Sequence, residues 1–210
     1  MPKIAIILFG ISYLKSYKHW NNQFLNIDYR KSVENYKKHF IDFYSKYYDI
    51  DFYLSTYLNP LKKQLLNDFK PVSTNFVHHF NTNRRLSRNS LIKAGVLNCL
   101  KYSSENNVNY KLVLITRFDL LFNQEFEKSN IDYSKINLVS VLEKSKFIDD
   151  NLYIMPFKFL NPFLKVIKDI NKNSHELRKE LESITDLNYI KNENKRVAKL
   201  TFFDIVRSKA

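Results

Sequence analysis

Residues 112–122 read LVLITRFDLLF, and the reading of this stretch decides the fold. Leu112, Val113, Leu114 and Ile115 form a continuous apolar run, which fits a strand buried on both faces and therefore a parallel sheet. Arg117 and Asp119 break the run before Leu120, Leu121 and Phe122 resume it. A charged pair at the end of a core strand is costly unless each charge is matched. Two readings follow. Residues two apart on a strand share a face, so the pair can be a structural ion pair. Alternatively, this is where the strand delivers chemistry.

The surrounding sequence supplies the rest of a sheet and its covering helices. Residues 3–9 (KIAIILF) form a second apolar run, closed by Gly10. Tyr29, Val33, Tyr36, Phe40, Ile41, Tyr44 and Tyr47 then recur at three- and four-residue intervals with basic residues between them. That is an amphipathic helix, with Asp28 placed to cap it. Residues 49–57 (DIDFYLSTY) and, more weakly, 73–80 (STNFVHHF) read as strands. Pro60 opens a short helix between them. A helix over 85–104 is expected to bury Leu86, Ser90, Leu91, Ala94, Leu97 and Leu100. Further strands are expected at 110–115, 136–142, 151–155 and 200–206, with helices at 160–170 and from Ser174, where Glu176 and Glu180 follow in the first turns. Alternating strands and helices predict a three-layer α/β/α domain with a mostly parallel central sheet.

The chain of 210 residues is long enough for one domain with a substantial core, and no repeat or low-complexity linker divides it. With 34 Lys plus Arg against 21 Asp plus Glu, the formal charge is +13, which favours anionic partners. Gly10 and Gly95 are the only 2 glycines, which excludes a Gly-rich dinucleotide fingerprint and a P-loop. The single cysteine, Cys99, permits no internal disulfide and no cysteine-rich zinc site, and its apolar helical setting reads as a buried thiol. No apolar run approaches the roughly eighteen residues of a membrane span, and the first residues read as a core strand in place of a signal peptide. The expectation is a cytoplasmic, reducing environment.

In open α/β sheets, ligands bind beyond the carboxyl ends of the strands. Three such ends carry polar groups or a glycine: Gly10, Ile11 and Ser12; Ser55, Thr56 and Tyr57; and Thr116, Arg117, Phe118 and Asp119. This order of elements, with YKLVLITRFDLLF at its centre, resembles the GT-A class of nucleotide-sugar glycosyltransferases, especially the small ones encoded by large DNA viruses. The resemblance covers residues 1–165, the nucleotide-sugar core, and leaves 166–210 as a C-terminal helical and acceptor-side region. In that class the strand ends in an Asp-x-Asp motif that holds a divalent metal on the donor diphosphate. Here the second acid is present as Asp119, and Arg117 stands in place of the first.

The resemblance implies a UDP-sugar donor, a glycan or glycoprotein acceptor, a divalent ion (Mn2+ or Mg2+) on Asp119, and, for a viral chain, the host cytoplasm. Arg117 cannot ligate a metal, yet its guanidinium suits phosphate oxygens. The segment opening the long helix, with Arg85, Arg88, Asn89 and Lys93, corresponds to the region that contacts the nucleotide, Arg88 and Lys93 being the preferred pair. Gly10, Ile11, Thr56 and Tyr57 are the expected contacts from the other strand ends. Asp149 or Asp150 is placed to act near the acceptor hydroxyl or the reacting sugar carbon, and His175 to serve as a late metal or phosphate ligand. Two other readings stand beside this one: a non-catalytic nucleotide-sugar binding module, and a nuclease-like protein built on Asp119, Glu143, Lys144 and Lys146, for which the spacing is loose.

Overall fold

In the computed structural model the described residues are 1–18, 23–78, 84–123, 126–141, 148–168, 174–191 and 202–209, with the backbone alone described at 17, 18, 84–87, 174 and 209. In chain order the strands and helices are β1 (Lys3–Gly10), β2 (Tyr13–Lys18), β3 (Phe24–Asp28), α1 (Arg30–Tyr36), α2 (Asp42–Ser45), β4 (Asp49–Tyr57), α3 (Lys62–Phe69), β5 (Ser73–Val77), α4 (Arg84–Glu105), β6 (Tyr110–Arg117), β7 (Leu120–Phe122), β8 (Ile136–Leu138), β9 (Leu152–Pro156), α5 (Leu160–Ile167), α6 (Arg178–Glu182), β10 (Leu187–Tyr189), β11 (Phe203–Ile205) and β12 (Ser208–Lys209).

The central sheet has the order β10-β8-β9-β6-β1-β4-β5. β1 pairs in parallel with β4 on one side and β6 on the other, and β9 is the strand that runs against its neighbours. The mostly parallel α/β sheet expected from the sequence is therefore present. Alternation along β1 divides the core into two layers. Ile4, Ile6 and Leu8 pack with Tyr36, Phe40, Tyr44, Leu65 and Phe69 of α1 to α3. Ala5, Ile7 and Phe9 pack with Leu91, Val96, Cys99 and Phe163 of α4 and α5. Burial pushes the Cys99 thiol up to about 12, as befits a structural residue.

Three local features depart from the periodicity reading. The buried face of α4 is Leu91, Ile92, Val96 and Cys99, whereas Leu97 is 41% exposed. Gly95 is the cause: a Cβ there would stand 2.5 Å from Ile7 Cγ2, so the helix lies against β1 through a residue that carries no hydrophobic weight in a pattern. The first helix passes through a π-helical turn (Lys37–Ile41) between α1 and α2. Tyr36, Phe40 and Tyr44 are spaced by four, which drifts about 40° per step on an ideal helix. The wider turn keeps all three facing the core. Finally, β2 and β3 form an antiparallel hairpin extended by β12, outside the central sheet. The polar YLKSYK of β2 gave no strand signal.

The chain's C-terminal strands differ from the expectation as well. The strand expected at 200–206 is the short β11, and it pairs antiparallel with β7 in a separate two-stranded sheet. Aromatic packing drives this: Phe122, Phe126 and Phe202 lie with ring centroids 5.0 to 5.9 Å apart, and Phe40 stacks on Phe122 at 5.6 Å. β10 completes the far edge of the central sheet by pairing in parallel with β8. From Ser174 the chain makes a 3-10 turn (Ser174–Glu176) before α6.

Candidate functional site

The end of β6 is gripped from one side by α1. Ser32 Oγ donates to the carbonyl of Phe118 at 2.5 Å, the Tyr36 hydroxyl donates to the carbonyl of Arg117, and Asn35 makes two bonds to the backbone of Phe122. Positions 32, 35 and 36 lie on one helical face, so one face of α1 fixes the backbone that carries Arg117 and Asp119.

On the fixed backbone, Arg117 and Asp119 form a bidentate pair. Nε donates to Oδ1 at 2.7 Å and Nη2 to Oδ2 at 2.5 Å. Arg207 Nε approaches Asp119 Oδ2 at 3.3 Å. The carboxylate is 3% exposed. Burial pushes its pKa up, but Arg117 and Arg207 outweigh this and hold it below the usual carboxylate range. Burial works against the charge of Arg117, and Asp119 with Asp150 restores it, leaving the guanidinium above its ordinary value.

A second group of side chains adjoins this pair through Asn151. Because β9 runs antiparallel to β6 with Leu152 opposite Thr116, the residue before β9 lies beside the end of β6. Thr116 Oγ1 bonds the Asn151 carbonyl at 3.2 Å. Asn151 Oδ1 accepts from Arg117 Nη1 at 3.1 Å and from Arg88 Nη2 at 3.3 Å. Arg88 also pairs with Asp150 Oδ1 at 2.9 Å, and its guanidinium sits 5.5 Å from the Phe9 ring centroid at the end of β1. His175 Nδ1 lies 2.8 Å from the Ile148 carbonyl and 3.3 Å from Asp150 Oδ1. Two oxygens facing Nδ1 fix the proton there, leaving Nε2 as the basic nitrogen. Asp149 is buried and accepts from the Asn151 backbone at 2.9 Å and side chain at 2.8 Å.

The structure thus joins Arg88, Arg117, Asp119, Asp149, Asp150 and His175, all singled out from the sequence, and adds Asn151 and Arg207. Asn151 adjoins the Asp149-Asp150 pair, so its position was visible although its role was not. Arg207 carried no signal at all. It arrives because β11 pairs with β7, and the backbone N–H of Val206 donates to the Asp119 carbonyl at 2.8 Å.

Other candidates stand apart from this group. Gly10, at φ +104°, is opposite Thr56, and Phe9 is opposite Arg117, so the three strand ends do gather on one edge. The Thr56 hydroxyl is buried there and bonds Ser12 Oγ at 2.9 Å, tying the turn after β1 to β4. Ile11 is half-buried, and Tyr57 is buried against the α4 layer. Asn89 is buried, while Lys93 is exposed on α4, five positions from Arg88 and so about 140° around the helix. The Arg85 side chain, and Glu143, Lys144 and Lys146, lie outside the described residues.

The donor set does not fit a divalent ion as folded. Both oxygens of Asp119 accept from guanidinium, Asp150 Oδ1 faces Arg88 and His175, and Asp149 Oδ1 is bound to Asn151. Among the described residues no three His, Cys, Asp or Glu side chains are grouped to hold a metal. No helix among them is long and apolar enough to cross a membrane.

No protein-family model and no curated protein sequence matches the chain. Among solved structures it is similar to a glycosyltransferase involved in the glycosylation of the major capsid of PBCV-1. The TM-score is 0.50 with 11% sequence identity, and the match covers 96% of this chain and 93% of that one. At that identity the likeness is one of architecture: the chain has a glycosyltransferase-like α/β fold.

Proposed function

We propose that this chain is a glycosyltransferase that moves a sugar from a UDP-sugar donor to a hydroxyl of a glycan or glycoprotein. The observation that carries this reading is the cluster of Arg88, Arg117 and Arg207 with buried acids at the carboxyl edge of β6 and β1, within a glycosyltransferase-like fold. Transfer develops negative charge on the departing diphosphate, and preorganised cations there lower the barrier. Arg117 and Arg88 are the groups for that charge.

Asp149 and Asp150 are 1% and 0% exposed, so neither reaches an acceptor directly. Asp150 acts through His175, whose side chain is 29% exposed. Nε2 of His175 takes the proton of the acceptor hydroxyl as its oxygen attacks the sugar carbon, and Asp150 with the Ile148 carbonyl holds the ring in place. Asp149 fixes Asn151, which in turn spaces Arg117 from Arg88.

The experiment is incubation of the full chain with UDP-sugars and a glycan acceptor panel, with release of UDP measured. Turnover of at least one UDP-sugar is expected; no release from any would remove the catalytic reading. The burial of both loop acids favours a second reading, a nucleotide-sugar binding module without catalysis. Binding of UDP-sugars without release of UDP would select it.

A further inference from the structure

We infer that the donor diphosphate is held by guanidinium groups in place of a divalent cation, and that Asp119 positions those groups and does not ligate a metal. This rests on the donor-site reading above and names how that site binds its anion.

The pairing at Asp119 comes first. Oδ1 accepts from Arg117 Nε, while Oδ2 faces both Arg117 Nη2 and Arg207 Nε. A dication approaching this carboxylate has to displace a guanidinium from each oxygen, and those are charge-assisted bonds in a buried setting. The neighbouring acid, Asp150, carries an ion pair with Arg88 through Oδ1 at 2.9 Å. Metal sites built on paired acids carry an excess of negative charge that the ion neutralises. Here the excess has been removed by arginine.

The arrangement of the cations comes second. Arg117 and Arg88 both donate to one oxygen, Asn151 Oδ1, at 3.1 and 3.3 Å. Two guanidinium groups therefore converge on an uncharged amide, which sets two cations side by side for an arriving anion. Where a metal site would offer a further carboxylate, this one offers asparagine.

The third observation is partial access. The side chains of Arg117, Arg207 and Arg88 are 15%, 20% and 22% exposed. Each is held by a nearly buried acid and keeps a minor part of its surface exposed. That is a rigid, preorganised fork, suited to bidentate recognition of phosphate oxygens. In the transfer step, the bond between the anomeric carbon and the β-phosphate oxygen breaks, and its electron pair passes to that oxygen. The acceptor oxygen forms the new bond to carbon, and its proton leaves to His175. Arginine takes the developing phosphate charge throughout.

The test is calorimetric titration of UDP into the full chain, once in EDTA and once in manganese. Equal affinity within about twofold is expected, whereas tightening by about tenfold or more with manganese would overturn the inference while leaving the transferase reading intact. Failure of UDP to bind in either buffer would remove the donor-site reading and this inference together. Asp119→Asn separates the two roles of that residue: a positioning role weakens UDP binding in EDTA by about tenfold, and a ligand role removes only a manganese-dependent increment. Arg207→Gln leaves the Arg117–Asp119 pair intact and guards against a folding defect in Asp119→Asn. It is expected to weaken UDP binding in EDTA, and unchanged binding in both variants would overturn the inference.

Discussion

Arg207 Nε stands 3.3 Å from Asp119 Oδ2, across 88 positions of sequence, and the same oxygen accepts from Arg117 Nη2 at 2.5 Å. One buried carboxylate therefore serves two cations, one two residues away on its own strand end and one from the segment after β11. The second reaches it through the pairing of β11 with β7, which the aromatic cluster around Phe122 and Phe202 anchors. The electrostatics of the strand end are thus linked to the closure of the C-terminal segment.

That asymmetry predicts unequal costs. Removing Asp119 strands two arginines, whereas removing Arg117 leaves the carboxylate with Arg207. Asp119→Ala should destabilise the fold by about 3–5 kcal/mol, the range for breaking a buried pair, and Arg117→Ala by less. Urea unfolding of both variants checks the order. A larger loss for Arg117→Ala would show that Arg207 does not support the carboxylate.

The same group predicts an acid limb. Asp119 is held below the ordinary aspartate value of 3.8 despite its burial, because Arg117 and Arg207 outweigh the desolvation. A depressed folded value contributes stability that is fully present above the unfolded value and is lost as pH falls through the folded one. Stability should therefore drop below roughly pH 4, and Asp119→Asn should flatten that part of the curve. Urea midpoints measured from about pH 5 to pH 2 test this, and an unchanged slope in the variant would assign the acid limb to other groups.

Much of the architecture was legible because β1 and β6 carry long apolar runs suited to central strands, and their polar or glycine ends marked the edge where the charged cluster lies. Arg117 and Asp119 stood out as a charged pair ending a core strand, whereas Arg88, Asp149, Asp150 and His175 were singled out through the glycosyltransferase resemblance, and the fold places all six in one cluster. What sequence did not reveal depends on partners far away in the chain. The β2–β3 hairpin is completed by β12, and Arg207 reaches Asp119 only through a strand pairing with weak local propensity. Lys93 was grouped with Arg88 by proximity in sequence, and the turn of the helix separates them. The face that α4 turns to β1 was hidden because Gly95, which packs against Ile7, is a missing side chain in the pattern.

That missing side chain gives a third prediction. Gly95→Ala raises helix propensity by about 1 kcal/mol, yet its Cβ would stand 2.5 Å from Cγ2 of Ile7, a fully buried β-branched residue in the central strand. Ile7 has little freedom to rotate away. Overpacking of this kind costs about 1–3 kcal/mol, so a net loss of stability is expected. A melting temperature equal to or above that of the parent chain would show that α4 can lift from the sheet without penalty.

His175 separates binding from chemistry. Its Nδ1 is oriented by the Ile148 carbonyl and by Asp150, so Nε2 is the atom that can accept a proton. His175→Ala removes this base and leaves the contacts of Arg117 with Asp119 and with Asn151 in place. If His175 takes the acceptor proton, transfer should fall by about 10²- to 10⁴-fold, the usual range for losing a general base. UDP affinity, measured by calorimetry, should stay within about twofold because the diphosphate lies with the arginines. Asp150→Asn should produce a smaller loss of turnover, since it orients the ring and does not itself meet the acceptor, together with a loss of UDP affinity through its partner Arg88. Equal losses of UDP affinity and turnover in His175→Ala would instead place the imidazole in the donor site, beside Arg88, and return the acceptor's proton to solvent.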